Sequence, residues 1–491
     1  MPTIPIGGQF YRSDSLPISA QECVNFYSNV PQAESITRLS LFNTPGITSE
    51  TTAGSGVINR GGHVFQDQPY VVNGTTLYRI DQTIDGSGNK TYSATDVSGG
   101  TTLPGSGRVI MEDNGAEGDQ LCIVLPDQTN QFNAYIYDKS ANTLTQISDN
   151  DFDGPVNDVN YVDGYFLFTK QGSQTFFISN LRNGLLYTST DSAAAEADPD
   201  NVVRGYILNN EPIIFGLETF ETFQNIGGAG FPFARVEGGI QGKGLVSRFA
   251  INEINDVLIF LGKGPNESPA VWLTDGQRPE KLSTTAIDND IGSYADSVIE
   301  SSFMWSYGQD GAYFVGLTFP GEKTFVYDFT SQLWHTRESI NAAGGSTVCR
   351  IGSVMAAYSG LMVGDYFGTN IGFLDRNVFT EFGTTISRRF VTPQIDNEGQ
   401  PFWVDSLELW GDQGIGLTSG QGSDPTLLMS FSENGGRSFS NTMERSVGAL
   451  GDYNYRTIWN SLGRFAREVC FKFEMTDPVK WTFAKLEAEF E

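Results

Sequence analysis

Residues 323–337 read KTFVYDFTSQLWHTR, and this stretch constrains the fold more than any other. Phe325 and Tyr327 alternate with Thr324 and Val326, the period-two pattern of a half-buried strand. Asp328 opens a short polar turn, because its carboxylate can accept bonds from backbone N–H groups two residues on. Leu333 and Trp334 begin a returning strand, so the unit is a hairpin. The same unit recurs at residues 77–81, at 134–138 with Leu144 and Ile147 on its return, at 271–275 with Leu282, and at 371–375. A weaker copy at 177–180 carries Asn180 in the turn. From Asp275 the next turns fall at Asp328 and Asp375, steps of about fifty residues, which is the blade spacing of a β-propeller. A blade cannot bury both faces of its sheet alone, so the copies must pack around an axis. The gap from Asn180 to Asp275 is about two steps, so one blade there is hidden or carries an insertion.

The composition agrees with a mainly β chain. Among 491 residues, 56 glycines, 35 phenylalanines and 19 tyrosines favour turns and aromatic strands over helices. The best helical window is 286–300, with Ile287, Ile291, Tyr294 and Val298 on one face. Three regions follow. Residues 1–55 read as an extended N-terminal docking arm, since prolines at positions 2, 5, 17, 31 and 45 exclude long helices. Val24, Phe26, Tyr27, Leu41 and Phe42 are too apolar for a free tail, so the arm docks on its own body or on a neighbouring subunit. Residues 56–381 read as a propeller of about six blades, with an inserted connection near 191–250 that includes the glycine-rich stretch 223–244. Residues 382–491 read as a β-sandwich-like domain. There Val469, Phe471, Phe473 and Met475 line one face of a strand, and Cys470, Lys472 and Glu474 the other.

The formal charge is −28, from 58 acidic and 30 basic residues. Such a surface repels polyphosphate, which disfavours tight nucleic-acid binding by counterion release. Cys23, Cys122, Cys349 and Cys470 are far apart, form no CxxC pair, and read as buried free thiols in a reducing compartment. The longest strongly apolar run, 257–261, is far too short to span a bilayer. The opening MPTIPIGGQF lacks a basic region and an apolar core, so no secretion signal is expected and the chain should be made in a cytosol-like environment.

Chemistry is sparsely signposted. The two histidines, His63 and His335, lie near no cysteine or second histidine in a metal-ligand spacing, and each reads as a hydrogen-bonded strand residue. No G-x-S-x-G elbow supports a serine nucleophile. Asp149, Asp151 and Asp153 alternate, with Gly154 sixth and Asn157 ninth, a pattern of hard oxygens that can wrap Ca2+. Asn160 stands where the bidentate glutamate belongs, which weighs toward a plain acidic turn, with calcium as the alternative. Residues 432–439 have the S-x-N-x-G-x-S-F form of an Asp-box turn, a structural device. Arg456, Arg464, Arg467 and Lys472 form the densest basic stretch; Glu468 and Glu474 interrupt it, so it reads as a contact surface rather than a nucleic-acid groove. No catalytic residue and no cofactor are assigned. The rival reading is a propeller glycosidase or lyase acting on host surface polysaccharide, which would need two converging carboxylates or a tyrosine and a carboxylate.

Several segments, taken in order, carry a family likeness: 21–27 (QECVNFY) and 42–47 (FNTPGI) in the arm; 162–166 (VDGYF), 214–221 (IFGLETFE) and 324–334 in the propeller; 460–464 (NSLGR) and 476–480 (TDPVK) near the end. Together they resemble the packaged-DNA stabilisation proteins that form the tail hub, or nozzle, of short-tailed bacteriophages. The resemblance implies a non-enzymatic virion protein, made and assembled in the host bacterial cytoplasm. It implies a homo-hexameric ring below the portal and its adaptor ring, extending the DNA channel and retaining the packaged genome until ejection. A needle or plug would close the far end and fibres or spikes would dock around it. DNA would pass through the lumen without specific binding, and no membrane insertion is expected. On this reading Val24, Phe26 and Tyr27 reach a neighbouring subunit, Arg456, Arg464 and Arg467 meet a subunit or partner, and removal of residues 1–50 should leave a soluble monomer.

Overall fold

The computed structural model describes residues 3–490 apart from Gln32, Ala197 and Ala229. Among the described residues, seven sheets succeed one another along the chain, one more than the six anticipated. Blades 1 to 4 are four-stranded antiparallel meanders over residues 59–96, 110–146, 156–194 and 202–241. Blade 5 contains Ile251–Ile254, Val257–Lys263, Ala270–Thr274 and Glu280–Lys281, with Gly244–Leu245 also pairing Val257–Lys263. Blade 6 is Phe303–Gln309, Ala312–Thr318, Thr324–Asp328 and Leu333–Ile340. Blade 7 is Ile351–Ala357, Gly360–Asp365 and Asn370–Asp375, and its outer edge is supplied by Gly46–Ile47 and Thr51–Thr52. The opening strands of blades 1 to 4 lie side by side, as do those of blades 5 to 7; blades 4 and 5 meet through Glu211–Gly216 and Gly244–Leu245, and Ile351–Ala357 returns to Asn59–Phe65, so the ring closes.

The expected insertion near 191–250 is therefore a blade. Residues 223–244, read as a connection, carry the strand Phe233–Gln241 against Phe220–Asn225. The period was obscured because asparagine replaces aspartate at the turn: Asn225 Oδ1 accepts the Gly227 N–H at 2.8 Å. Aspartates do the same elsewhere. Asp138, Asp275, Asp328 and Asp375 accept from the backbone of Ala141, Gln277, Thr330 and Asn377. In blade 1 this role falls to Asp85, which accepts from Ser87 and Asn89, whereas Asp81 lies inside a strand and pairs with Arg79.

The second domain packs two sheets around Phe390, Phe402, Trp459, Phe471, Phe473 and Leu486. Cys470 and the other three cysteines are free and buried, as the sequence led us to expect. Ser432 folds the Asp-box turn by accepting from the Gly436 N–H at 2.9 Å. The helical window splits into Thr285–Ser293 and Asp296–Glu300, with Ile287 and Ile291 buried against blades 5 and 6. Among the described residues no helix is long and apolar enough to cross a membrane.

Residues 3–52 do not form a projecting arm. They form a strap woven through both domains. Thr3–Ile4, Phe26–Asn29 and Ser40–Asn43 join one sandwich sheet. Ala20–Val24 pairs in parallel with Leu333–Ile340 of blade 6 and antiparallel with Arg388–Val391 of the sandwich, which makes one twelve-stranded sheet from propeller to sandwich. The strap then closes blade 7. Val24 and Phe26 are 1% exposed and belong to the chain's own core. Their expected use as subunit contacts is overturned, since both side chains serve the chain's own core, and removal of residues 1–50 would take strands from both domains rather than a free arm. The physical reason is edge satisfaction: blade 6, blade 7 and the sandwich each present a free strand edge, and one extended segment covers all three.

Candidate functional site

Three places gather polar chemistry. The first is the joint where strap, blade 6 and sandwich meet. Asn25 sits in the left-handed region (φ 57°), where asparagine is tolerated, and turns the chain from one sandwich sheet into the other. Its Nδ2 donates to the carbonyls of Glu338 and Ser387 at 2.8 and 2.7 Å, and its Oδ1 accepts the Glu338 N–H at 3.1 Å. Arg389 donates to Glu22 at 3.0 Å and to both oxygens of Glu338 at 2.9 and 2.7 Å. Beneath it, Arg337 and Glu381 form a fully buried ion pair at 3.2 Å, and Arg337 also donates to the Pro45 carbonyl of the strap at 2.9 Å. His335 lies buried on the same strand with Nε2 unpartnered, contrary to the expected hydrogen-bonded histidine. Burial and the neighbouring Arg337 charge push its pKa down to about 3.

The second is a groove of about 940 Å³ between propeller and sandwich, lined by Tyr27, Phe42, Asp310, Asp328, Asp412 and Lys480 among others. Tyr27 is half-buried there, edge-on to Phe42 and Phe314. The carboxylates in this groove are engaged. Asp310 pairs with Arg376 at 3.0 Å, Asp412 with Lys480 at 2.8 Å, and Asp328 accepts from the Thr330 N–H and the Ser331 hydroxyl. Burial, with Asp310 and Asp328 close by, pushes the pKa of the Tyr27 phenol up.

The third is the propeller axis. Arg248 of blade 5 reaches across the ring to the Pro126 carbonyl of blade 2 at 3.2 Å. Arg108 of blade 2 lies 3.9 Å above the Phe303 ring of blade 6 and donates to the Gly352 carbonyl of blade 7 at 2.6 Å. Arg204 of blade 4 donates to the Arg248 carbonyl at 2.7 Å. Burial lowers the Arg108 guanidinium to about 10. Side chains thus bridge the axis near the N-terminal ends of the first strands.

The remaining expected residues are scattered. Asp149 accepts from the Asp151 and Tyr187 N–H groups, Asp153 pairs with Lys170 at 2.6 Å, and Asn157 is buried, donating to the Val202 carbonyl. Phe152 between them packs into the core against Phe168, Phe177 and Tyr187, and among the described residues the three aspartates do not bring their oxygens within 4.8 Å of one another. Arg456 is exposed and paired with Glu408 at 2.8 Å, Arg464 lies 5.5 Å over the exposed Trp403 ring, and Arg467 is exposed. These three arginines do line the surface of the sandwich. Sequence spacing alone missed the axial arginines and the joint, because each is built from strands tens to hundreds of residues apart.

Comparison with known proteins gives two family matches. Residues 3–379 match the model described as bacteriophage P22 Gp10, β-propeller, and residues 387–491 the model described as bacteriophage P22 Gp10, β-sandwich. The tail hub protein gp10 of Salmonella phage P22 is 22% identical over 400 residues, covering 79% of this chain and 81% of that protein. Among solved structures, the computationally designed Ika8 protein aligns with 67% of this chain and 100% of its own, at 8% identity and a TM-score of 0.35. The extracellular domain of a putative one-component system from B. thetaiotaomicron aligns with 84% of this chain and 49% of its own, at 11% identity and a TM-score of 0.44.

Proposed function

Because this chain belongs to the bacteriophage P22 Gp10 family, whose propeller and sandwich models together span nearly all of it, we propose that it is a structural tail hub protein of a phage virion. In the finer reading, copies assemble as a hexameric ring beneath the portal and its adaptor ring. The ring extends the DNA channel, holds the packaged genome and conducts it at ejection, with a needle or plug below and fibres or spikes around it. The protein would be synthesised and assembled in the host cytoplasm. The role is mechanical rather than catalytic. The observation that carries it is the match of both domains in their order along the chain, including the N-terminal segment that ties them together.

Two features support the finer reading. The bridged axis leaves no straight bore through a single propeller, so a conduit has to run between copies. The charge of −28 makes any wall the subunits present a poor phosphate binder, so retention is by closure rather than grip. Electron microscopy of particles made with and without the gene tests this. Expected are a six-fold ring at the tail in complete particles, and DNA leakage from particles that lack the chain. Intact tails that retain DNA without it would overturn the proposal.

A further inference from the structure

A repeat of about fifty residues sets equivalent positions of neighbouring first strands side by side. At one such pair the side chains are metal donors. His63 lies in the first strand of blade 1, and Glu112 and Asp113 end the first strand of blade 2. One ligand atom from each lies within 4.8 Å of the other two, and all three residues are half-buried. His63 Nε2 stands 2.7 Å from Asp113 Oδ2. The other Asp113 oxygen accepts the Gly115 N–H at 2.7 Å, an outer bond of the kind that fixes the orientation of a ligating carboxylate. Among the described residues this is the one place where three or more histidine, cysteine or acidic side chains converge in this way. Asp113 forms its ion pair with His63, and no lysine or arginine of the described residues pairs with either carboxylate.

We propose that His63, Glu112 and Asp113 hold one divalent transition-metal cation, Zn2+ in preference to Ca2+, and so clamp blade 1 to blade 2. Zinc binds imidazole nitrogen and carboxylate oxygen at about 2.0–2.2 Å, so neighbouring donors of its tetrahedral shell stand about 3.3–3.6 Å apart. Donor atoms already within 4.8 Å close on the ion with small side-chain movements. The His63–Asp113 contact opens as the ion takes the place of the bridging proton. Charge suits the ion: the two carboxylates offset the two positive charges of a dication, and the imidazole adds a neutral donor. Calcium needs about six to eight oxygens, and a set of two carboxylates and a nitrogen does not supply them. The three protein donors leave a fourth position for water or for a group from a partner.

The test uses the full chain stripped with a chelator. Calorimetric titration with Zn2+ is expected to show one saturable ion per chain, with no saturable Ca2+ uptake. His63→Gln and Glu112→Gln should each weaken Zn2+ binding by at least about tenfold. Background binding is low, because His335 and all four cysteines are buried. Co2+ in place of Zn2+ should give visible d–d bands without thiolate charge transfer, a readout on the unmutated chain that stands even if a variant fails to fold. Absence of saturable Zn2+ uptake by the unmutated chain, unchanged affinity in both variants, or a thiolate band with Co2+ would each overturn the assignment.

Discussion

Phe26→Ala separates the two uses of the N-terminal segment. The Phe26 ring is 1% exposed and meets the rings of Phe483 and Phe390 edge-on, at centroid distances of 5.4 and 6.2 Å. Truncating a buried phenylalanine removes its transfer energy and leaves a cavity, costing about 3–5 kcal/mol. The loss here belongs toward the middle of that range, near 4 kcal/mol, because two packed aromatic pairs disappear with the ring. With a urea slope of about 2–3 kcal/mol per molar, the unfolding midpoint should drop by about 1.5 M. The measurement is urea unfolding of the isolated chain at two protein concentrations, followed by tryptophan fluorescence, since Trp459 and Trp481 lie in the same core. A shift that is independent of concentration is expected, because the ring packs within its own chain. Were the segment an arm for a neighbour, the isolated chain would unfold within about 0.2 M of wild type, and the strap reading would fail. The same reasoning predicts that deletion of residues 1–50 yields an aggregating chain, since it bares the edges of blade 7 and of both sandwich sheets.

Two further outcomes follow from the joint. Arg337→Met strands the buried Glu381 carboxylate and should destabilise the chain by about 3–5 kcal/mol, while adding Glu381→Leu should recover most of that; equal stability of the single and double variants in chemical denaturation would refute it. His335 is held neutral with a pKa of about 3, below its unfolded value of about 6.5, so its contribution is complete above pH 6.5 and lost as the pH falls toward 3. At pH 5 the loss is about 2 kcal/mol, and His335→Gln should flatten the stability profile between pH 6.5 and 5 by that amount; parallel profiles for the two proteins would refute it.

The sequence carried the propeller plainly where aspartate closes the outer hairpin of a blade. Asp138, Asp275, Asp328 and Asp375 mark four blades because a carboxylate bonded to a backbone N–H is a local device, readable within a few residues. Blade 4 was legible only as a gap of two steps, because Asn225 performs the same task in a glycine-rich setting that resembles a loop. The N-terminal segment was legible as apolar and extended, yet its partners were not, since strand pairing across more than three hundred residues leaves no local trace. The axial and joint arginines were hidden for the same reason. A buried arginine is identified by the carbonyls and carboxylates around it, and those come from other blades. His63 shows what signal was there to use: it stands one blade repeat before Asp113, so aligning the repeats would have placed the two side by side.

The inward arginines are matched by inward carboxylates. Arg60, Arg337 and Arg388 are fully buried, and Arg108, Arg204 and Arg248 are committed to carbonyls and rings at the axis. A fifth of the 30 basic residues thus points into the fold, but Asp158, Glu221, Asp328, Asp365, Glu381 and Glu408 are buried as well, so the surface that solvent meets keeps its acidic excess. Internal arginines serve stiffness here: Arg60 gathers the carbonyls of Leu103, Pro104 and Gly107 onto blade 1, and Arg337 ties blade 6 to the strap. Braced from within by paired charges, the blades still present an acidic exterior, which is what a conduit for DNA requires if the genome is to slide past without adhering. In the proposed ring, rigidity therefore comes from the buried arginines with their carbonyl and carboxylate partners, and non-adhesion from the excess of 58 acidic over 30 basic residues that burial leaves intact.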